Sequence, residues 1–252
     1  DASVTWSSDN ESVATVDEDG LVTAHGVGSA TITVTAKDDS NVSAICEVTV
    51  SKKTYEMADG SDYTSQKEMT MDQLNYTRTF NNTNWQALYV PFAISTEALA
   101  ENGLEVARLN DVHQYDYEDD GTVDETAVEI LRLRNGSTKP NTMYVIRAKE
   151  TGDKVITMDD VTLYPAQENS HSVTSWDTEF TFVGTYHTIT GQEMLDGEYY
   201  ALGGGVLHPT SSSANDLKPQ RWYMTVTHRN GNKKNVNEVK VFLYGEEDLE
   251  TG

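Results

Sequence analysis

The first fifty residues form short runs in which apolar and polar side chains alternate. Residues 31–36 read Thr-Ile-Thr-Val-Thr-Ala, and residues 44–50 repeat the alternation. A period of two places successive side chains on opposite faces, so each run predicts a half-buried β-strand. Asp19-Gly20 lies between such runs and is typical of a tight turn, because glycine readily adopts a positive φ. Short strands at this spacing predict a small β-sandwich or barrel.

The same alternation assigns individual side chains to the core. Trp6 shares a strand face with Val4, and Cys46 shares one with Ala44 and Val48. We therefore expect Trp6 and Cys46 to be buried, with the thiol acting as a small hydrophobic group. Cys46 is the single cysteine, so the chain has no internal disulfide. No accompanying histidine and asparagine pattern marks it as a nucleophile.

Four runs in this region carry a family resemblance: residues 6–8, 13–16, 20–24 and 28–32. They resemble the bacterial immunoglobulin-like domain of group 2. The resemblance implies an Ig-like β-sandwich, a non-catalytic unit that normally recurs in secreted and surface-anchored bacterial proteins. Family members have a further strand region upstream of the tryptophan, whereas five residues precede Trp6 here. We therefore expect a piece of a longer protein, or another segment that completes the sandwich.

The charge of the chain limits its partners. Eighteen Lys and Arg residues against forty-one Asp and Glu residues give a net charge of −23. Such a field disfavours nucleic acid and anionic membrane surfaces, and it suits a solvated extracellular protein that attracts cations. The sequence shows neither a signal peptide nor an apolar run of membrane-spanning length, so we expect no membrane insertion by this piece.

The rest of the chain predicts a second, larger domain. We place an N-terminally incomplete Ig-like domain at 1–53, a β-sandwich domain at 54–245 and an acidic tail or linker at 246–252, the last too polar to pack. One short helix is expected at 96–101 with Ser95 or Thr96 as its N-cap. The many strand-like runs around it favour an all-β, jelly-roll-like sandwich. The expected strands are residues 76–80, 85–90, 112–117, 127–134, 143–148, 155–163, 179–186, 199–202, 222–227 and 236–244.

A second resemblance covers parts of this larger domain. Residues 76–92, 197–205 and 217–224 resemble a β-rich domain of gut-bacterial surface proteins that are described as adhesins or Ig-domain proteins. The C-terminal sequence Glu-Asp-Leu-Glu-Thr-Gly resembles the segment that leads to a sorting or anchoring tail in such proteins. This resemblance implies an extracellular or cell-surface location and implies no chemistry.

One acidic segment imitates the start of a calcium loop. Asp116, Glu118 and Asp120 occupy positions one, three and five, and Gly121 occupies position six. An EF-hand also needs a glutamate at position twelve, where this chain has Ala127. Flanking strands favour a hairpin with its tip at Asp120 and Gly121, and leave incidental calcium binding as the alternative. We expect no other cofactor.

The remaining candidates for chemistry favour binding over catalysis. The sequence contains no Gly-x-Ser-x-Gly elbow, and its histidines lack metal-site spacing. Trp85 and Trp222 alternate with apolar neighbours, as core residues do, whereas Trp176 lies between Ser175 and Asp177. We therefore expect Trp176 to be exposed, and it is the candidate for stacking on a sugar ring.

These observations predict a pair of non-enzymatic extracellular modules. The leading hypothesis is cell adhesion or ligand binding by the second domain, with the Ig-like unit as a spacer. Its partner would be a host or bacterial surface protein or a glycan. The alternative is a carbohydrate-binding accessory module of a larger polysaccharide-processing protein, which an exposed, co-planar aromatic pair would favour. A structural stalk without a ligand is the third possibility.

Overall fold

The structure is a computed structural model, and it describes residues 3–38, 42–211, 215–228, 236 and 238–248. The chain divides into two compact units, Asp1–Lys53 and Thr54–Gly252. Over these described residues, both units consist of β-strands, and the second also contains two short helices. The expected all-β class is therefore confirmed.

Among its described residues, the first unit contains five strands in two small sheets. One antiparallel sheet has the order β1-β4-β5, and β2 pairs with β3 as a hairpin. Gly20 turns this hairpin with a φ of +83°, as its sequence predicts. A Cβ on Gly20 would lie 2.7 Å from the Trp6 ring, so the indole packs directly on this turn. The strands are β1 (Val4–Ser8), β2 (Ala14–Val16), β3 (Val22–Ala24), β4 (Gly28–Ala36) and β5 (Ser43–Val50).

The core of the first unit is small, and it leaves one expected core residue exposed and the other only partly covered. Val13, Ala14 and Ala30 are buried. The expectation for Cys46 was wrong, because its side chain is exposed, and Trp6 is only half-buried. The physical reason is position: the β2–β3 hairpin packs against β1 and β4, while β5 is an edge strand. Cys46 therefore lies on the same sheet face as buried Ile32, but at the edge strand, where its side chain is left exposed.

In the part of the chain that the structure describes, the second unit consists of a ten-stranded sheet, a three-stranded sheet and two short helices. The large sheet has the order β13-β14-β17-β15-β16-β18-β10-β9-β11-β8, and the small one has the order β12-β7-β6. Side chains of both sheets share one hydrophobic core. The elements are β6 (Thr54–Ala58), β7 (Met69–Phe80), β8 (Gln86–Leu88), α1 (Thr96–Glu101), β9 (Leu104–Tyr115), β10 (Glu125–Asn135), β11 (Tyr144–Ala148), β12 (Gly152–Leu163), β13 (Ser170–Ser175), β14 (Thr178–Thr185), α2 (Gly191–Asp196), β15 (Tyr200–Gly203), β16 (Val206–Pro209), β17 (Arg221–His228) and β18 (Val239–Asp248).

A buried ionic cluster fixes the β6 end to β7 and β17. Asp59 accepts hydrogen bonds from both terminal nitrogens of Arg221 at 2.7 and 2.6 Å, and one from the Tyr76 hydroxyl at 3.0 Å. Arg78, which is 1% exposed, lies 3.4 Å from the same carboxylate. Burial alone would raise the pKa of Asp59, but the Arg221 hydrogen bonds and the two guanidinium charges outweigh it and lower that pKa. The cluster joins segments about 160 residues apart in the chain.

The helices and the chain end partly follow the expectations. Helix α1 has the expected bounds, and the Ser95 hydroxyl caps it by accepting from the Ala98 amide. Helix α2, which starts with a Thr190–Glu193 capping box, was not expected. The expected acidic tail was wrong for residues 246–248, because β18 runs through Asp248. There β18 pairs in parallel with β10, and Glu246 forms ion pairs with Arg132 and Arg134. Residues 249–252 lie outside the described residues.

Candidate functional site

The candidate site lies where β9, β10 and β18 run side by side in the large sheet. Tyr115 is the cross-strand partner of Glu125, and Lys240 is the partner of Ala127. Val112 and Val128 point to the buried face of the sheet, so the alternation places Tyr115, Glu125 and Lys240 on the opposite face. The outer face of three adjacent strands thus presents aromatic and charged side chains.

Two tyrosines form the main feature of this face. The rings of Tyr115 and Tyr117 are 5.7 Å apart between centroids and 2° from parallel. Tyr117 is 67% exposed, and Tyr115 is half-buried. Together with β18 they line a groove of about 610 Å³, which we call the tyrosine groove. Its lining residues are Tyr115, Tyr117, Glu125, Gly205, Val206, Lys240, Val241 and Phe242.

Charged groups stand beside the tyrosine rings. The Lys240 ammonium donates to the Glu125 carboxylate, and this hydrogen bond together with the glutamate charge raises the pKa of Lys240. Burial and the nearby charge of Glu129 raise the pKa of the Tyr115 hydroxyl, which therefore stays protonated at neutral pH. The groove thus combines flat apolar rings with one cationic donor and one anionic acceptor.

The acidic loop that resembles a calcium site connects β9 to β10, so the hairpin interpretation is confirmed. The Asp116 carboxylate accepts from the amides of Asp120 and Gly121 at 3.2 and 2.8 Å. Asp120 accepts from the amide and the hydroxyl of Thr122, and these hydrogen bonds lower its pKa. Both carboxylates therefore already order the loop backbone.

No ion-holding arrangement is found in the described ranges. Within residues 3–38, 42–211, 215–228, 236 and 238–248, no group of three or more His, Cys, Asp or Glu side chains is placed to hold a metal. Calcium binding by Asp116, Glu118 and Asp120 therefore stays a prediction. The loop has a second role, because Asp124 accepts from the Tyr117 amide at 2.6 Å and so positions one ring of the groove.

Trp176 occupies the tip of the β13–β14 hairpin. It is 52% exposed and has a φ of +53°, which few residues other than glycine adopt. Trp176 is not part of the tyrosine groove lining, and its role in sugar binding stays a prediction. Trp85 and Trp222 are 7% and 0% exposed, as their alternation indicates. The Trp222 indole donates to the Tyr144 carbonyl at 2.6 Å, which explains how a buried indole nitrogen is satisfied.

The tyrosine groove was not predicted from the sequence. Tyr115 and Tyr117 are two residues apart at the end of a strand, and this spacing was the available signal. Lys240, which donates to Glu125 beside the tyrosine rings, lies 115 positions further along the chain than Glu125. Only the parallel pairing of β10 with β18 brings the two together. Parallel partners need a long connection, so local patterns do not reveal which strand lies beside which.

Comparison with known proteins identifies the first unit. Residues 1–48 match the model of the bacterial Ig-like domain (group 2). The first unit is therefore a bacterial Ig-like domain, which is a non-catalytic kind of module. This confirms the resemblance that its strand and turn runs carry.

Three relatives share a short stretch with this chain. Two uncharacterized proteins of Clostridium acetobutylicum are 52% identical over 50 residues and 45% identical over 49 residues, which is 20% and 19% of this chain. The 3-O-alpha-D-galactosyl-alpha-L-arabinofuranosidase of Bifidobacterium longum subsp. longum is 44% identical over 62 residues, 25% of this chain. The matches span only 13%, 5% and 6% of the relatives' own lengths.

One solved structure aligns with this chain at low similarity. Domains 4–9 of the surface layer protein SbsC align with 96% of this chain and 39% of that chain, at 11% identity and a TM-score of 0.20. A score this low carries no argument about fold or function.

Among the described residues, neither helix has the length and apolar character needed to cross a membrane.

Proposed function

We propose that the chain is a non-catalytic extracellular module of a bacterial surface or secreted protein. In this proposal the second unit binds a glycan in the tyrosine groove, and the Ig-like unit acts as a spacer. The Tyr115–Tyr117 pair carries the proposal, because the two rings are stacked and Tyr117 is 67% exposed, which leaves an aromatic face open to a sugar.

The chemistry of the groove supports a sugar. An apolar ring face packs on the C–H face of a pyranose, and Tyr117, which is stacked on Tyr115 and is 67% exposed, offers such a face. Glu125 and Lys240 line the same groove and supply an acceptor and a donor for hydroxyl groups. Apolar lining with a few placed polar groups is typical of small-ligand sites.

A relative adds independent support for the glycan class. The B. longum protein, which shares 62 residues at 44% identity, is named for its action on galactosyl-arabinofuranoside linkages. We therefore take uncharged plant-type or bacterial glycans as the first ligands to test.

A glycan array with the full 252-residue chain tests the proposal. We expect selective retention of neutral oligosaccharides, and we expect the Tyr117→Ala variant to lose most of the signal. Tyr164→Ala is the matched control, because Tyr164 is also an exposed tyrosine (39%) and does not line the groove. No retention of any glycan, or equal retention by both variants, would contradict the proposal.

Protein adhesion is the second candidate, and one observation favours it. Leu243 and Tyr244 of β18 are 39% and 66% exposed, next to the groove residue Phe242. Exposed apolar and aromatic side chains of this kind also suit a protein partner. A silent glycan array, together with binding to a purified surface protein that Tyr244→Ser abolishes, would favour adhesion over glycan binding.

A further inference from the structure

At the end of the large sheet that carries the tyrosine groove, four core-facing strand positions are occupied by polar residues instead of apolar ones. Two cross-strand pairs hold them: Gln114 with Thr126, and Thr178 with His228. They continue the faces of buried Val112, Val128, Phe180 and Val226. The alternation is therefore intact, and only the chemistry changes at the last inward position of each strand.

These four residues line a cavity of about 670 Å³, which we call the polar cavity. Its volume lies within the range of small-molecule sites. Glu125 and Lys240 line both the polar cavity and the tyrosine groove, so the two depressions share a wall. Asp177, the neighbour of exposed Trp176, also lines the polar cavity. The remaining lining residues are Val123, Asp124, Pro209, Val236 and Glu238.

Three polar atoms of this cavity are buried without a hydrogen-bond partner. They are Gln114 Oε1, Thr126 Oγ1 and His228 Nε2, on residues that are 9%, 3% and 7% exposed. The described part of the chain contains six such atoms, and three of them meet in this one cavity. Because an unpaired buried polar atom costs stability, their concentration indicates groups that a ligand completes.

The hydrogen bonds around His228 define what the ligand must bring. The Thr178 hydroxyl donates to Asp177 at 3.2 Å, so it accepts from Nδ1 of His228 at 3.1 Å. In the neutral ring, Nε2 then carries a lone pair and accepts. The amide oxygen of Gln114 also accepts. The interior of the cavity therefore calls for donors, which sugar hydroxyl groups supply.

The rim of the cavity selects against anions and offers no metal site. The residues that line the polar cavity include four carboxylates and one lysine: Asp124, Glu125, Asp177, Glu238 and Lys240. The whole chain carries a net charge of −23. This field disfavours uronic, sialylated or sulfated sugars. The cavity is lined by described residues, among which no His, Cys, Asp and Glu group is placed to hold a metal.

We propose that the polar cavity receives the terminal unit of an uncharged glycan, while the adjoining units lie in the tyrosine groove. This inference rests on the proposed glycan-binding function and deepens it. The unpartnered polar atoms belong to core-facing residues and the tyrosines lie on the outer face, so each depression takes a different unit of one glycan. The shared wall of Glu125 and Lys240 lets one ligand contact both depressions.

The test uses the full chain and a panel of neutral hexose and pentose oligosaccharides of about three to six units. Each has a counterpart whose terminal sugar is a uronic acid. Calorimetry on wild type, Thr126→Val and Gln114→Met measures the contribution of the cavity. We expect both variants to bind neutral oligosaccharides about tenfold more weakly, and we expect the uronic counterparts to bind more weakly than their neutral forms.

Thr126→Val separates a ligand contact from a structural role. Valine keeps the shape of threonine and removes the unpaired hydroxyl, so the melting temperature should stay the same or rise while affinity falls. Thr227→Val is the control, because Thr227 is exposed on the other face of β17, and it should leave affinity unchanged. A lowered melting temperature for Thr126→Val would show that its hydroxyl has a structural partner and would overturn the inference.

The remaining outcomes separate the inference from the proposed function. Unchanged affinity in both cavity variants, with loss of binding in Tyr117→Ala, would overturn the cavity and leave the glycan function standing. Equal affinity for neutral and uronic chain ends would also overturn the cavity. Failure of the wild type to bind any panel member would overturn both.

Discussion

At the scale of single residues, Cys46 shows how burial depends on what lies opposite a strand. Its cross-strand partner Ile32 is 2% exposed, yet Cys46 itself is exposed on the same sheet face. The difference arises because β4 is central and β5 is an edge strand. Periodicity indicates which way a side chain points, and the neighbouring elements decide whether anything covers it.

The exposure of Cys46 has a direct chemical consequence. We expect a thiol reagent such as Ellman's reagent to label one thiol per chain under native conditions, and Cys46→Ser to abolish the signal. A buried thiol would react only after unfolding. Labelling that appears only in denaturant would contradict the exposed position of Cys46.

The residues of the candidate site were predictable to different degrees. The exposure of Trp176 follows from its polar neighbours, and the burial of Trp222 follows from its apolar alternation. The polar cavity left a weaker trace, a polar residue at the last inward position of each of four strands. In one sequence such a position looks like an ordinary strand end, because the convergence of four strands is a property of the sheet.

At the scale of elements, local patterns located the expected strands of the second unit but not their pairing. Helix α1 was found with its cap, because Ser95 and the following residues form a local signal. Strands β6, β13 and β16 and helix α2 were missed, since each spans six residues or fewer and gives too short a pattern. The parallel β10–β18 contact, which creates the tyrosine groove, depends on long-range topology.

The Asp59 cluster predicts how the second unit responds to acid. The pKa of Asp59 is lowered from 3.8 in the folded chain, so the stabilisation that it provides is complete above that value. It is lost as the pH falls below 3.8 toward the folded pKa. Asp59→Asn should therefore lower the unfolding free energy at neutral pH and flatten its decline below about pH 4.

Denaturant titrations at several pH values measure this effect. The exposed Asp62 supplies the control variant, and Asp62→Asn should retain the wild-type acid profile. Removal of one partner from a buried ion pair typically costs about 3–5 kcal/mol, which is well above the experimental error. An unchanged acid profile in Asp59→Asn would show that the cluster does not link proton binding to folding.

At the scale of the whole molecule, an Ig-like domain and a larger β unit divide the expected tasks. The first unit has a small core and belongs to a non-catalytic module class. The second unit has an extensive core and both candidate depressions. The net charge of −23 keeps such a chain solvated and favours uncharged or cationic partners. Function is therefore to be sought in the second unit.

Sugar binding by the Tyr115–Tyr117 pair can be measured by calorimetry of Tyr117→Ala beside Tyr164→Ala. The titrant is the neutral oligosaccharide that the wild type retains best. We expect about tenfold weaker binding for Tyr117→Ala, which corresponds to about 1.4 kcal/mol and to the loss of one stacking ring. Tyr164→Ala should match the wild type. Equal affinity for Tyr117→Ala and the wild type would show that the pair does not bind the sugar.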